Sequence, residues 1–272
     1  MLSFFLLVAQ AEEEPASPAP SSGVVVSVYD GDTFTLDDDN RVRLMWVNTP
    51  EKRPPEAFAE EATDLAERMV IRKEIELHYG NAERDGYGRL LGAVKVEGVW
   101  VAEELLREGY AHLFLFPPMA DFVPYDRLIE VEAEARDAKR GIWSEERYAG
   151  PLHITSFHAN ARGNDTENLN KEYLRLCNVS GAPLELSDYR IADISGASWR
   201  FPAATVPAGH TIKVMSGSGE DQLDASAPIE VYLESEWPIW NNDHDRATIY
   251  DLYGKVIDSR EHMVKGYDKP KH

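Results

Sequence analysis

Three short stretches carry residue types that could act together on a phosphate ester. Asp30-Gly31-Asp32-Thr33 offers two carboxylates across a glycine. Arg43-Leu44-Met45-Trp46-Val47-Asn48-Thr49-Pro50-Glu51 adds an arginine, an amide oxygen and a further carboxylate. Arg84-Asp85-Gly86-Tyr87-Gly88-Arg89 brings another arginine in a glycine-rich turn. Oxygen donors suit a hard cation such as Ca²⁺. Two arginines can fork onto phosphate oxygens, and a free carboxylate can take a proton from water. These are the parts that metal-assisted phosphodiester hydrolysis requires. Alone, the Asp30–Thr33 stretch would be an ordinary hairpin or Asx turn, and Arg43 an ordinary strand arginine with its stem over the core. The combination is what points to chemistry. The sequence holds no zinc motif, P-loop or nucleophile elbow. His153, His158 and His244 are scattered and read as surface or core residues, and residues 241–245 as an acidic loop.

The elements that must position these residues follow from period and punctuation. Three strand-like runs open the segment, at 24–29, 33–37 and 41–47, the last two joined by a turn at 37–40. Alternation puts Arg41 and Arg43 on one strand face and Val42, Leu44 and Trp46 on the other. Pro54-Pro55 opens an expected helix running to about residue 71, with Ala57, Ala62, Leu65 and Met69 along one side. Residues 74–78 and 89–96 read as strands, 101–107 as a helix stopped by Gly109, 111–116 as an extended aromatic run. Residues 124–140 read as a helix ending at Gly141. Proline before Glu51 fixes the chain and presents that carboxylate rigidly. From about residue 150 helical periodicity fades. Short strand-like runs recur between turn residues, which suggests a β-sandwich of roughly seven strands.

Composition bounds the rest. A chain of 272 residues, 43% hydrophobic and 10% aromatic, is long enough for two globular domains. The formal charge is −20. Residues 1–150 hold 16 Lys and Arg against 30 Asp and Glu, a net of −14; the remainder holds 12 against 18, a net of −6. A broad basic surface for nucleic acid is therefore excluded, and any such contact must be a local site. The lone Cys177 permits no intramolecular disulfide and reads as a buried structural thiol. The apolar run 2–8 followed by Ala9-Gln10-Ala11 has the shape of a signal-peptidase site, and it is too short to span a bilayer. Residues 1–11 are accordingly expected to be a signal peptide and 12–23 a flexible linker. Residues 24–149 would form one domain, 150–262 a second and 263–272 a tail. Secretion, or residence in the periplasm or cell envelope, is the expected localisation.

At Asp30–Thr33, Arg43–Glu51 and Arg84–Arg89 the sequence resembles the thermonuclease (staphylococcal-nuclease-like) family. The runs 168–176, Phe201-Pro202, Trp240-Asn241-Asn242 and Asp251-Leu252-Tyr253-Gly254 resemble a lamin-tail domain. The resemblance implies an OB-fold β-barrel with helices (α+β), followed by an immunoglobulin-like β-sandwich. It implies Ca²⁺ as cofactor, held by Asp32, Asn48 and the Thr49 carbonyl, with an amide at 48 where the family's best-known member has a carboxylate. Arg43 and Arg89 would stabilise the transition state, and Glu51 would act as general base or orient the nucleophile. Tyr87 would contact a substrate phosphate and nucleotide. Phe114 and Phe116 would either contact a nucleotide or pack a strand. The implied function is a secreted calcium-dependent nuclease of DNA and RNA, preferring single strands, that cleaves the 5′ P–O bond and leaves 3′-phosphates. The sandwich would anchor the enzyme or bind an envelope or protein partner. Residues 150–272 would then be dispensable for turnover on short oligonucleotides. The alternatives are a non-catalytic OB module that binds nucleic acid, or an envelope adhesin.

Overall fold

The computed structural model describes residues 18–160 and 167–264. The expected signal peptide, half of the linker and most of the tail lie outside the described residues. β1 (Ser22–Asp30), β2 (Thr33–Leu36) and β3 (Arg41–Leu44) form an antiparallel meander. β4 (Trp46–Asn48), α1 (Ala59–Val70), β5 (Glu74–Arg84) and β6 (Leu90–Val96) follow. β5 pairs with β1 and β6, and β6 runs parallel to β3, aligning Val42 with Leu90. That last pairing closes a five-stranded barrel, so no sheet edge is left open there. β7 (Val99–Trp100) extends β6, α2 (Val101–Arg107) and α3 (Tyr125–Asp137) pack together, and β8 (His112–Phe114) pairs with β4. Alternation in β3 buries Val42 and Leu44 in the barrel core with Phe34, Leu36 and Leu90, leaving the arginines on the other face.

Three local expectations are corrected. The strand carrying Arg43 does not run through to Trp46. Met45 breaks it, Trp46 has a left-handed φ of 74°, and the chain turns into β4 to pair with β8. The first helix begins at Ala59, not at Pro54-Pro55. Two prolines lack N–H groups, and the chain instead makes a tight turn in which Glu56 N–H donates to the Glu51 carbonyl at 2.8 Å. The strand after α1 runs to Arg84 rather than ending at residue 78, because pairing with β6 resumes at Arg84–Leu90 beyond an irregularity.

The second half is a sandwich. One sheet contains β9 (Leu152–His158), β10 (Tyr173–Asn178), β15 (Thr211–Met215) and β16 (Ile229–Tyr232). The other contains β12 (Arg190–Ala192), β13 (Ser198–Arg200), β17 (His244–Tyr250) and β18 (Val256–Met263), with β11 (Leu184–Glu185) and β14 (Thr205–Val206) paired at one end. Leu174, Leu176, Ile212, Val231, Ile191 and Ile249 fill the space between the sheets. Among the described residues no helix is long and apolar enough to cross a membrane.

Barrel and sandwich each have a core, and a third apolar cluster joins them. It contains Ala135, Ile142, Trp143 and Tyr148 from the first half and Cys177 and Val179 from the second. Leu115 N–H donates to the Gly209 carbonyl at 2.8 Å, and the Cys177 thiol donates to the Leu113 carbonyl at 3.1 Å. Burial pushes that thiol well above its ordinary pKa, consistent with a structural role. The Tyr125 hydroxyl donates to the Ala208 carbonyl at 2.9 Å. This junction argues against treating residues 150–272 as removable without consequence.

Candidate active site

The two-residue turn Gly31-Asp32 between β1 and β2 aims the Asp32 carboxylate at β4. A Cβ on Gly31 would stand 2.7 Å from Thr49 Cγ2 and 2.8 Å from the Ala62 Cβ, so only glycine lets this turn sit so close to the barrel and α1. Asp32 Oδ2 accepts from the Thr49 N–H and the Thr49 hydroxyl, both at 3.0 Å. Oδ1 accepts from the Thr33 hydroxyl at 3.1 Å and meets Arg43 Nε at 3.2 Å. Asp30 supports the turn by accepting from the Asp32 N–H at 3.2 Å. Asp30, Asp32 and Thr49 are all buried.

Arg43 is drawn inward. Its Nη1 donates to the Leu44 and Val47 carbonyls and its Nη2 to Asn48 Oδ1 at 3.2 Å, with the guanidinium 5.9 Å from the Phe114 ring centre. The fork that could hold a phosphate is thus turned onto Asp32 and Asn48. Arg89 is held differently. Asp85 opens the turn after β5, accepts from the Tyr87 and Arg89 N–H groups, and takes Arg89 Nε and Nη2, each at 2.7 Å. Tyr87, at the turn's tip, is 74% exposed, with the Arg89 guanidinium 5.4 Å from its ring.

Glu51 is half-buried. Its N–H donates to Glu56 Oε2 at 2.9 Å, and Glu56 Oε1 pairs with Arg147 at 3.1 Å and with Arg260 of β18 at 3.3 Å. Burial raises the Glu51 carboxyl above the usual carboxylate range, with Asp32 and Glu56 adding to the rise. Burial first and Asp32 second push Asp30 up to about 7, with Arg43 opposing.

Asp30, Asp32 and Glu51 thus gather around Arg43 in a poorly solvated spot, with Arg260 also acting on Glu51. A divalent cation would offset that excess of negative charge, and the donor set (carboxylate, amide and carbonyl oxygens) fits a hard ion. Among the described residues, no three His, Cys, Asp or Glu side chains converge into a cage of their own. Water and phosphate oxygens would have to complete a coordination shell.

One cleft of about 670 Å³ is lined by Asp30, Asp32, Arg43, Asn48, Glu51, Tyr87, Arg89, Phe114 and Phe116. All the expected site side chains therefore open on one space; Thr49 stands just behind Asp32 and presents backbone and hydroxyl to it. Phe114 meets Phe116 edge-on at 4.9 Å and also touches the junction cluster, while Phe116 is 41% exposed. Both phenylalanines line the cleft, Phe114 the more packed and Phe116 the more open. Sequence reasoning missed the opposite wall, where Thr155, Ser156, His158, Tyr173 and Arg175 of the sandwich line the same cleft. The alternation around Tyr173 and Arg175 was readable, but nothing in one sequence tells which sheet face meets another domain.

A family model described as staphylococcal nuclease homologue matches residues 41–145, and one described as lamin tail domain matches residues 145–263. The chain is similar to the thermonuclease of Staphylococcus intermedius, 32% identical over 130 residues, or 45% of this chain and 76% of the relative. It is 33% identical over 135 residues to an uncharacterized endonuclease of Escherichia coli, covering 48% of this chain and 82% of that one. Endonuclease YncB of Bacillus subtilis (strain 168) is 34% identical over 128 residues, 44% of this chain and 60% of the relative. With it, two further Bacillus relatives are spanned over only 43 to 60% of their length.

Proposed function

The chain belongs to the staphylococcal nuclease homologue family, and from that premise we propose that it is a calcium-dependent nuclease hydrolysing phosphodiester bonds of single-stranded or frayed DNA and of RNA. The observation that carries the reading is the convergence of Asp32, Arg43, Asn48, Glu51 and Arg89 on one cleft. Asp32, Asn48 and the Thr49 carbonyl would hold Ca²⁺, whose contribution is to offset charge on a phosphate oxygen and position the attacking water.

The chain's own residues do the rest. Arg43 exchanges its Asp32 and Asn48 partners for two equatorial phosphate oxygens, which keeps its donors satisfied while adding bidentate recognition. Glu51 orients the attacking water and accepts its proton; a raised pKa makes it a better base than an ordinary carboxylate. As the water oxygen bonds to phosphorus, the 5′ P–O bond breaks, and charge grows on the leaving oxygen. Arg89, held on Asp85 through Nε and Nη2, turns its remaining amino group to that oxygen. The product strand keeps a 3′-phosphate.

Export to the exterior or cell envelope is part of the same reading, supported by the apolar run 2–8 and the Ala9-Gln10-Ala11 site. The faces of the sandwich away from the cleft would serve to anchor the enzyme or bind an envelope partner. The test is hydrolysis of denatured DNA with calcium and again with chelator, followed by end-group analysis. Cleavage lost in chelator, with 3′-phosphate ends, supports the reading; metal-independent cleavage or 5′-phosphate ends overturn it.

A further inference from the structure

We propose that the outer face of the β9–β10–β15 sheet is a nucleotide subsite of the cleft. In it Arg175 holds a backbone phosphate beside the scissile one, and Tyr173, with Tyr87 across the cleft, takes the attached base of a single-stranded nucleic acid. The proposal rests on the nuclease reading for its substrate.

The face is built by register. Alternation along β10 sends Leu174 and Leu176 into the sandwich core and leaves Tyr173 and Arg175 outward. Antiparallel pairing sets His158 beside Tyr173, and Ser156 and Lys213 on either side of Arg175. The His158 ring stacks on Tyr173 at 4.3 Å, and Lys213 Nζ stands 4.8 Å from the same ring. The Arg175 guanidinium lies 4.9 Å from the ring centre of Phe116, so the sandwich and the barrel's aromatic run meet at this point.

Burial without an ion-pair partner marks Arg175; most other arginines that lack a carboxylate partner are exposed. In a chain of net charge −20, Arg43, Arg89, Arg107, Arg127, Arg136, Arg147 and Arg260 each have a carboxylate within ion-pair distance. No described carboxylate comes within ion-pair distance of Arg175; burial lowers its pKa, and Glu230 opposes this only from farther away. A desolvated cation with no counter-charge costs free energy unless a ligand supplies one. The wall opposite carries the two arginines assigned to the scissile phosphate, and an adjoining phosphate of the same strand is the anion that would reach both walls. Burial first and the neighbouring Tyr87 second raise the Tyr173 phenol, so the two tyrosines stand near each other and offer a base two aromatic neighbours. Alternating cation and aromatic contacts are how single strands are held without base-specific readout.

The test is fluorescence anisotropy of a labelled single-stranded oligothymidylate on the full chain, in chelator, over a series of salt concentrations. Arg175→Met keeps the stem over Phe116 and removes the charge. It should weaken binding about tenfold at low salt and flatten the log–log salt slope by about 0.7, the value for one phosphate on a single strand. Arg175→Lys should restore the slope, and Tyr173→Leu should weaken binding roughly 5- to 100-fold. Arg246→Met, on the exposed face of the other sheet, should leave the slope unchanged. With calcium present, the Arg175→Met loss should fall on KM rather than on kcat. A chain that binds with the expected slopes but hydrolyses nothing supports the subsite and overturns the nuclease reading. Hydrolysis by the wild type together with an unchanged slope in Arg175→Met overturns the subsite.

Discussion

Arg43 and the proposed cation would compete for the same side chains. Asp32 Oδ1 and Asn48 Oδ1 are partners of the guanidinium, and Asp32 and Asn48 are also the side chains proposed to hold calcium. Two positive groups cannot share them closely without repulsion. A phosphate offered to Arg43 should therefore free those oxygens, so nucleotide should tighten calcium binding and calcium should tighten nucleotide binding equally. Asn48→Asp restores a charged ligand and should lower the calcium concentration for half-maximal activity; an unchanged or higher requirement would show that Asn48 is not a ligand. Asp30 gives a pH signature. Its folded-state pKa of about 7 lies above the ordinary 3.8, so the fold retains a proton that the unfolded chain releases. That contribution is complete at low pH and is lost as pH rises through about 7. In chelator the melting temperature should fall between pH 5 and pH 8, and Asp30→Asn should flatten the fall by about 2–4 °C for each kcal/mol recovered. A wild-type melting temperature constant over that range would contradict the assignment. The residue types were legible from sequence because each chemical role needs a particular side chain. The inward turn of Arg43 was not, because it depends on carbonyls that the break at Met45 leaves facing it.

Secondary elements set how tightly those residues are held. The β1–β2 turn works because Gly31 lets Asp32 reach both donors of Thr49. Gly31→Ala should lower stability and reduce activity together, since an added Cβ meets Thr49 and Ala62 below 3 Å. Equal activity and melting temperature would show that the turn can relax. The segment after β4 is held by Glu56, whose carboxylate caps the Glu51 N–H and is gripped by Arg147 and by Arg260. Glu56→Gln should weaken that grip, lowering kcat and shifting the acidic limb of the pH–rate profile downward, because Glu56 is one of the groups raising Glu51. An unmoved limb would remove Glu56 from that role. Strands and helices were readable from periodicity, since one buried face per element is all the pattern must encode. The boundaries at Pro54-Pro55 and Met45 were not, because both depend on partners distant in sequence: β8 for the first residues of β4, and the sandwich arginine for Glu56.

At the scale of the whole molecule the two halves share an active-site cleft and an apolar junction. Each core was foreseeable from composition and pattern, but the junction was not. Leu115 meets Gly209 through backbone groups and the Cys177 thiol meets the Leu113 carbonyl, contacts that carry no sequence signature. Deleting residues 150–272 would expose Trp143, Tyr148 and Phe114 to water, remove Arg175 from the cleft and take Arg260 away from Glu56. The full chain should unfold with the two halves coupled, rather than as two transitions that can be assigned to separate domains; independent transitions by calorimetry would show a looser junction. The central claim is that this cleft hydrolyses phosphodiesters through Arg43 and Arg89. The most direct measurement is the single-turnover rate on a single-stranded oligonucleotide, with saturating calcium, for the full chain and its Arg43→Lys and Arg89→Lys variants. Lysine keeps the charge and loses the fork. The account predicts that each variant folds as the wild type does and is slower by about 10²–10³-fold or more; wild-type rates in either variant would contradict it.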